Sequence, residues 1–528
     1  MKKTITGVLA LAVIVVVVQS CAKHFFRSNY DTANSLLHET NNIQTKLFLK
    51  AHLKNGDIAI LRDTWEIDTV SNTVSGTGVR YGFNRNPLFE GAIRIAIDSV
   101  ALFETNKKIQ PNESGRVAAL SILTAVNVVG AIICLSVPKA CFGSCPTFYI
   151  NEDDNVHYAD AEGFSNAIIP SMEYGDVDAL NNHLVAGSTF SLTMKNEALE
   201  THCIRDVKLL AYPTKAGERV YQSPGNNFYR CENNYPLTHA VANEGDITSL
   251  LLKPDRTERF SLSDEHNLNS KEEIYLTFHR VENPNGLGLV LNFRQTLMTT
   301  YLFYSAMGYM GDQVSDVFYL LESNPDMRSR FDATTKALGG IDVYGWNETT
   351  SSWEYQNGFH ETGPIAINRQ LVPLTIMPSA SKVKIKIVLN KGLWRIDYVA
   401  LTNIREQIMP VELSPTEILI NQQPNKEALQ QLRSADKLLI SMPGNAYKIN
   451  FTMPVADADY ELFLYTKGYY LEWMRAQWIK DKNFDALKKM VFNPGEFLKE
   501  EALDYKHYET TMEQQFWSSK IDTNTFSY

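Results

Sequence analysis

The sequence predicts a mainly β chain that also contains helices and divides into several domains. Its 528 residues exceed the size at which a single hydrophobic core stops growing, about 250–300 residues. Short segments of alternating apolar and polar residues, separated by turn-forming residues, recur between residues 58 and 401. Helical spacing of apolar residues is concentrated in 426–439 and 469–490. These patterns indicate β-sandwich and jelly-roll modules followed by a more helical C-terminal part.

The N-terminus has the pattern of a bacterial lipoprotein signal peptide. Lys2 and Lys3 precede an apolar run at 9–18, and the tetrapeptide Val-Gln-Ser-Cys ends at Cys21. The alternative is an uncleaved transmembrane anchor, but the run is short for a segment that must cross ~30 Å of hydrocarbon. We therefore expect lipidation of Cys21, which makes the membrane a partner of this chain.

The patterns along the chain predict the following division. It comprises a signal peptide (1–20), an anchor and leading segment (21–57), a β unit with an apolar helix and a cysteine loop (58–185), a β-sandwich (186–296), an apolar helix with a jelly-roll-like β module (297–405) and a mixed α/β C-terminal region (406–528).

An internal segment, 117–137, contains no charged residue and just meets the length of a membrane span. Two structures fit it. It either crosses the bilayer, as a second membrane contact beside Cys21, or forms a helix that packs in a core or on the bilayer surface. Asn127 and Gly130 favour the second structure because they weaken a lipid-facing helix. A shorter apolar stretch occupies 297–310.

The cysteines suit an oxidising compartment, where pairing is the default. We expect disulfides between Cys141 and Cys145 and between Cys203 and Cys231. The first pair could instead exchange thiols or bind a metal, although the usual redox spacing has two intervening residues, not three.

An alternative for the second pair is a zinc site. His202, Cys203, Cys231 and His239 carry suitable ligand atoms, but their spacing matches no standard closed site. We therefore predict no metal centre.

The cysteine loop also carries a resemblance. Residues 141–149 read Cys-Phe-Gly-Ser-Cys-Pro-Thr-Phe-Tyr, and 161–165 continue with Ala-Glu-Gly-Phe-Ser. This segment resembles a group of envelope lipoproteins from Bacteroides-type bacteria that have no assigned activity. The resemblance implies an envelope location but no reaction. The lipid anchor, the β modules and the two apolar segments lead us to expect other envelope proteins as partners.

Motifs of catalysis are missing from the sequence. It has no Gly-x-Ser-x-Gly elbow, phosphate-binding loop, His-Glu-x-x-His pair or dinucleotide fingerprint. We therefore predict no catalytic residue and no cofactor, and favour a non-enzymatic protein. Trp346, Trp353 and Trp394 are candidate ligand-binding residues, because aromatic faces can stack on sugar rings. The alternative is that they fill a strand core.

Three functions fit these observations. The first is a lipid-anchored scaffold or subunit of an outer-membrane assembly. The second is a lipoprotein that binds or processes carbohydrate, and the third is a periplasmic thiol-redox protein. Nucleic acid is not an expected partner, because 60 acidic residues outnumber 50 basic ones. Ala22, Lys23 and His24 lack the acidic character linked to surface export in this bacterial group, which favours the periplasmic leaflet of the outer membrane.

Overall fold

The computed structural model describes residues 48–105, 145–150, 159–180 and 188–518, with short gaps at 54, 56, 69, 83–86, 199, 280, 282–285, 361–362, 376–381, 456–457, 473–477 and 479–480. Strands account for 51% of the described residues and helices for 22%. The predicted fold class, mainly β with α and a helical C-terminal part, is confirmed. Cys21, Cys141 and the segment 117–137 lie outside the described residues.

The N-terminal sheet has five antiparallel strands in the order β4-β3-β2-β1-β5. They are β1 (Phe48–Leu53), β2 (Ile58–Asp68), β3 (Thr73–Tyr81), β4 (Pro87–Ala96) and β5 (Val100–Thr105). Alternation along β1 directs Leu49, Ala51 and Leu53 into a core that belongs to this sheet alone. Gly78 is required where β3 passes β2, because a Cβ there would lie 1.9 Å from the Ile60 carbonyl oxygen.

The remaining described strands form three further sheets. They are β6 (Thr147–Tyr149), β7 (Ala161–Glu162), β8 (Tyr174–Ala179), β9 (Thr189–Lys195), β10 (Glu200–Pro213), β11 (Glu218–Ser223), β12 (Asn227–Ala242), β13 (Gly245–Asp246), β14 (Lys271–His279), β15 (Leu287–Gln295), β16 (Ile341–Asn347), β17 (Ser352–Phe359), β18 (Asn368–Leu374), β19 (Lys382–Asn390), β20 (Trp394–Ile408), β21 (Val411–Leu413), β22 (Glu417–Ile420), β23 (Gln423–Pro424), β24 (Leu439–Ser441), β25 (Ala446–Thr452) and β26 (Tyr460–Glu472).

Most of the described helices lie between β15 and β16 or after β26. They are α1 (Thr248–Leu251), α2 (Met298–Met310), α3 (Val314–Ser323), α4 (Pro325–Phe331), α5 (Ala333–Leu338), α6 (Lys426–Arg433), α7 (Phe484–Phe492), α8 (Pro494–Glu500), α9 (Ala502–Glu509) and α10 (Met512–Ser518).

The largest sheet corrects the predicted domain boundary at 296/297. Its order is β11-β18-β15-β20-β12-β14-β19-β16-β17, with β13 added to β12. Strands from the expected sandwich, such as β14 and β15, therefore alternate with strands from the expected jelly-roll module, such as β19 and β20. The predicted modules are not separate domains, because their strands complete each other's hydrogen bonding.

A second sheet also joins distant parts of the chain. Its order is β21-β10-β26-β8, with β24 paired to β10. The long antiparallel pair β10–β26 runs from Glu200 opposite Glu472 to Pro213 opposite Tyr460. The third sheet has the order β23-β22-β25-β9-β6-β7. Strands from the two sides of the predicted boundaries at 185/186 and 405/406 are therefore paired with each other as well.

The helices agree partly with the sequence patterns. The apolar stretch at 297–310 forms α2, and most of its residues are buried in the main core. The helix expected over 469–490 is wrong in its first part. Tyr469 and Tyr470 belong to β26, and helix α7 begins at Phe484 after its cap, Asn483, whose side chain accepts a hydrogen bond from the Ala486 N–H. None of the described helices combines the length and apolar character that crossing a membrane requires.

Aromatic contacts join the N-terminal sheet to the rest of the molecule. The side chains of β1 that point away from its own core include Phe48 and His52. The Phe48 ring stacks on Tyr319 of α3 at 4.7 Å, and the His52 ring lies 6.4 Å from Tyr469 of β26. One face of β1 therefore packs in the core of its own sheet, and the other packs against α3 and β26.

Candidate functional site

The outer face of the largest sheet carries a group of aromatic side chains. Strands β14, β19, β16 and β17 lie side by side, with Tyr275 opposite Lys386, Lys386 opposite Tyr344 and Tyr344 opposite Tyr355. The alternate residues of these strands, including Ile274, Ile385, Ile387 and Val343, point into the main core.

We call this group the aromatic face. It consists of Tyr275, Tyr344, Trp346, Trp353 and Tyr355. The Trp346 and Trp353 rings are paired across the strands edge to face, with centroids 5.3 Å apart. Tyr344 and Tyr355 form a similar pair at 5.6 Å, and Tyr275 lies 5.8 Å from Trp353. Tyr275 is 42% and Tyr355 is 55% exposed, so ring surface remains open to solvent.

Charged groups lie among these rings. The Lys386 Nζ lies 5.1 Å from the centroid of Tyr344 and 5.7 Å from that of Trp353, and the Lys384 Nζ lies 5.6 Å from that of Trp346.

A carboxylate completes this arrangement. Lys386 donates a hydrogen bond of 2.8 Å to Glu273 Oε1, and the Tyr275 hydroxyl donates to the same carboxylate. These two hydrogen bonds, led by that of Lys386, hold the pKa of Glu273 below its usual value. The face therefore offers flat apolar rings beside fixed donors and acceptors.

The structure separates the three candidate tryptophans. Trp346 and Trp353 lie on the aromatic face, as the carbohydrate hypothesis requires. Trp394 does not, and its prediction as a ligand-binding residue is wrong. It is 1% exposed at the start of β20, and its ring lies 5.7 Å from Phe293 inside the main core. A strand that is central in a sheet and covered on both sides buries its aromatic residues.

The expected Cys203–Cys231 disulfide is not formed. Cys203 lies on β10 opposite Tyr469, whereas Cys231 lies on β12 opposite Ile404, in a different sheet and a different hydrophobic cluster. Cys231 has a free thiol, and burial raises its pKa to about 12. Strand pairing keeps the two cysteines apart. The Cys141–Cys145 pair stays a prediction, because Cys141 lies outside the described residues; Cys145 is buried.

The alternative zinc set is also dispersed. His202 is fully buried, with its Nε2 2.7 Å from Glu200 Oε1, whereas His239 is half-exposed near Asp246. Within the described part of the chain, no group of three or more His, Cys, Asp or Glu side chains is arranged to hold a metal ion.

A second candidate site is a cavity of about 280 Å³ between β7, β10, β26 and the helices α2, α4, α5 and α7. We call it the glutamate cavity. Its lining is Cys145, Glu162, Ser165, Asn166, Ile168, Met172, Glu200, Gln295, Thr299, Thr300, Leu302, Phe303, Tyr304, Phe331, Asp332, Thr334, Thr335, Lys336, Leu338, Pro364, Ile365, Tyr470 and Met490.

Two buried carboxylates contribute to the lining of this cavity. Glu162 Oε2 accepts a hydrogen bond of 2.8 Å from the backbone N–H of Ile365, and Glu200 interacts with His202. Gly363 has φ +79°, and a Cβ there would lie 2.5 Å from Glu162 Oε2, so a side chain would displace the carboxylate. The sequence predicted neither as a site residue. Glu162 lies on β7 and Glu200 on β10, which belong to different sheets, and only the packing of these sheets places both residues beside one cavity.

Comparison with known proteins adds little. No family model matches the chain, and neither does any curated protein. A GH31 alpha-xylosidase from Xanthomonas citri is 8% identical, with a TM-score of 0.15; the match covers 81% of this chain but 36% of the xylosidase. The VP2 subviral particle of infectious bursal disease virus is 9% identical, with a TM-score of 0.12, and the match covers 75% of this chain and 97% of VP2. At TM-scores this low, neither likeness carries an argument.

Proposed function

We propose that this protein is a lipid-anchored, non-catalytic envelope protein that binds a glycan on the aromatic face. The observation that carries the proposal is a group of five aromatic rings on three strands, in which Trp353 contacts Tyr275 and Trp346, and Tyr344 pairs with Tyr355. Lys386 lies over both Tyr344 and Trp353 and is hydrogen-bonded to Glu273. A sugar ring has an apolar side, which stacks on an aromatic ring, and an edge of hydroxyl groups, which needs hydrogen-bonding partners.

The arrangement favours a glycan site over a buried core and over a nucleic-acid site. An internal core would not need the exposed ring surface of Tyr275 and Tyr355. A nucleic acid would also stack on such rings, but the net charge of the chain is −10, which opposes a polyphosphate. Paired aromatic residues stabilise a β-hairpin by themselves. This accounts for the Trp346–Trp353 and Tyr344–Tyr355 pairs but not for Tyr275, which lies on β14 and is 42% exposed.

The test is retention of the full chain, purified from membranes in detergent, on a glycan array and by affinity electrophoresis in soluble polysaccharides. Trp353→Ala and Tyr355→Ala should each weaken retention at least tenfold, because each removes a stacking surface. The matched control is Phe89→Ala, which removes an exposed aromatic ring from the N-terminal sheet. Absence of retention in the unaltered protein, or an equal loss in the control, contradicts the proposal.

The lipid anchor supports the envelope part of the proposal. Lipidation at Cys21 would hold the glycan-binding face close to the membrane, where a scaffold or subunit of an outer-membrane assembly works. Metabolic labelling with palmitate should mark the unaltered protein and not Cys21→Ser. Protease treatment of intact cells should leave the protein uncut if it occupies the periplasmic leaflet, and rapid cleavage would place it on the cell surface instead.

A further inference from the structure

The glutamate cavity is separate from the aromatic face. Its lining comes from β7, β10, β26 and the helices, and includes no residue of β14, β16, β17 or β19. Its volume of about 280 Å³ is close to the lower end of ligand pockets, roughly 300–1,000 Å³. The space suits one small molecule, about the size of a single sugar ring, and not a polymer.

The polar lining combines acceptors with groups that both donate and accept hydrogen bonds. Glu162 and Glu200 are buried, and an ionised carboxylate only accepts. Ser165 and Thr300 contribute hydroxyl groups that can act either way, and the Thr299 hydroxyl, which donates a hydrogen bond of 3.0 Å to Gln295 Oε1, can accept. A ligand with several hydroxyl groups matches this mixture, because each of its hydroxyls can donate to a carboxylate and accept from a neighbour.

Charge at the cavity opposes an anionic ligand. Asp332 and Lys336 are exposed at its rim and have opposite charges, whereas the buried acidic residues of the lining, Glu162 and Glu200, have no buried basic counterpart in it. Burial, together with the negative charge of neighbours that include Glu200, raises the pKa of Tyr470 well above its usual value. A second negative charge in the cavity would be repelled at short range.

Aromatic rings at the cavity are held in place by other contacts. The Tyr470 hydroxyl donates a hydrogen bond of 3.0 Å to the Ser165 carbonyl oxygen. The Tyr304 ring stacks on Trp478 with centroids 4.9 Å apart. Fixed rings lose little conformational entropy when a ligand packs against them, which favours a rigid ligand with an apolar side.

We propose that the glutamate cavity binds a neutral monosaccharide, with Glu162 and Glu200 accepting hydrogen bonds from its hydroxyl groups. This inference takes its ligand class from the proposed function and assigns it to a second, partly open site. The aromatic face would hold a chain of sugars, and the cavity a single free or terminal unit.

Isothermal titration and ligand-observed NMR on the full chain test this, with D-glucose, D-galactose, D-mannose and N-acetyl-D-glucosamine as probes. At least one should bind with a stoichiometry of one. D-glucuronate and D-galacturonate are matched anions and should bind at least tenfold more weakly than the corresponding hexose. Failure of all four sugars, or equal binding of a uronate, overturns the inference. So does binding of 1,4-diaminobutane in their place, which would mark a cation site.

Two variants assign the binding to the cavity. Glu200→Gln should lower the affinity for the sugar at least tenfold, and Glu265→Gln, which alters an exposed carboxylate, should not. Because Glu200 is buried beside His202, Thr300→Leu provides a second route; it fills the cavity from α2 and leaves both glutamates in place. Unchanged affinity in folded samples of either variant contradicts the assignment.

The two sites fail in different ways. Trp353→Ala should abolish retention on polysaccharide and leave monosaccharide affinity within twofold, because Trp353 lies outside the cavity. If polysaccharide retention is absent from the unaltered protein while a hexose still binds, the proposed function is wrong and the cavity inference stands.

Discussion

The tryptophan pair on β16 and β17 differs from the tryptophan that begins β20 in the same sheet. Trp346 and Trp353 lie across from each other on two strands at one end of the sheet, and each keeps part of its ring in solvent. Trp394 lies on a strand in the middle of the strand order and is 1% exposed. All three residues belong to strands with alternating sequence. The difference shows that the position of a tryptophan in the sheet, and not its residue type, decides whether its ring is open to a ligand or buried in a core.

Replacement of the buried tryptophan, Trp394, should have the largest effect on stability. We expect Trp394→Ala to lower the free energy of unfolding by about 3–5 kcal/mol, because it leaves a large cavity beside Phe293. Urea unfolding followed by circular dichroism measures this loss. A loss under about 1 kcal/mol would show that the ring is not part of the packed core.

Asp397, on the same strand as Trp394, should make the stability of the protein depend on pH. Burial, reinforced by negative charge from Glu258 and Asp255, raises the pKa of Asp397 to about 6 from the usual 3.8. The folded state then binds more protons than the unfolded state between these two values. Stability from this group is therefore present below about pH 4 and lost as the pH rises towards 6.

Asp397→Asn should remove that dependence. Between pH 4 and pH 7, the free energy of unfolding of the variant should rise by about 1–3 kcal/mol relative to that of the unaltered protein, since one pKa unit corresponds to about 1.4 kcal/mol. Urea unfolding of the two proteins at both pH values measures the difference. Parallel pH curves would mean that the side chain is solvated, unlike its neighbour Trp394.

Trp346 and Trp353, which are only partly buried, should tolerate substitution better than Trp394. Trp346→Ala removes one edge-to-face contact and a ring that is only partly buried, so we expect a loss of about 0.5–1.5 kcal/mol in the free energy of unfolding. The same urea assay applies, with Trp346→Phe as the control that retains a ring. A loss as large as that of Trp394→Ala would place Trp346 in a core and weaken its assignment to the aromatic face.

The smallest expected effect concerns the thiol of Cys231. With a pKa near 12, this buried thiol should resist iodoacetamide at pH 8 in the native protein and react in concentrated urea. Peptide mass spectrometry identifies the modified site. Rapid labelling of the native protein would show that this part of the sheet is open, in contrast to the β20 strand beside it.

Much of the local structure could be predicted from sequence. The alternation in 64–70 and 92–97 appears in β2 and β4, and that in 382–388 appears in β19. The helix expected from residue 469 is wrong because the apolar residues around Tyr469 and Tyr470 fit the spacing of a helix as well as that of a strand. These residues form a strand because β26 pairs with β10 over its whole length, and no local pattern encodes that pairing.

The sequence by itself determined the strand and helix content, the lipid-attachment pattern at Cys21 and a net charge that opposes nucleic acid. Tertiary structure decided which strands are neighbours. Pairing between distant segments kept Cys203 and Cys231 apart and separated Trp346 and Trp353 from Trp394, and the packing of two sheets placed Glu162 and Glu200 around one cavity. The physical reason is that alternation fixes the two sides of a strand, whereas the neighbours of each side depend on contacts far apart in sequence.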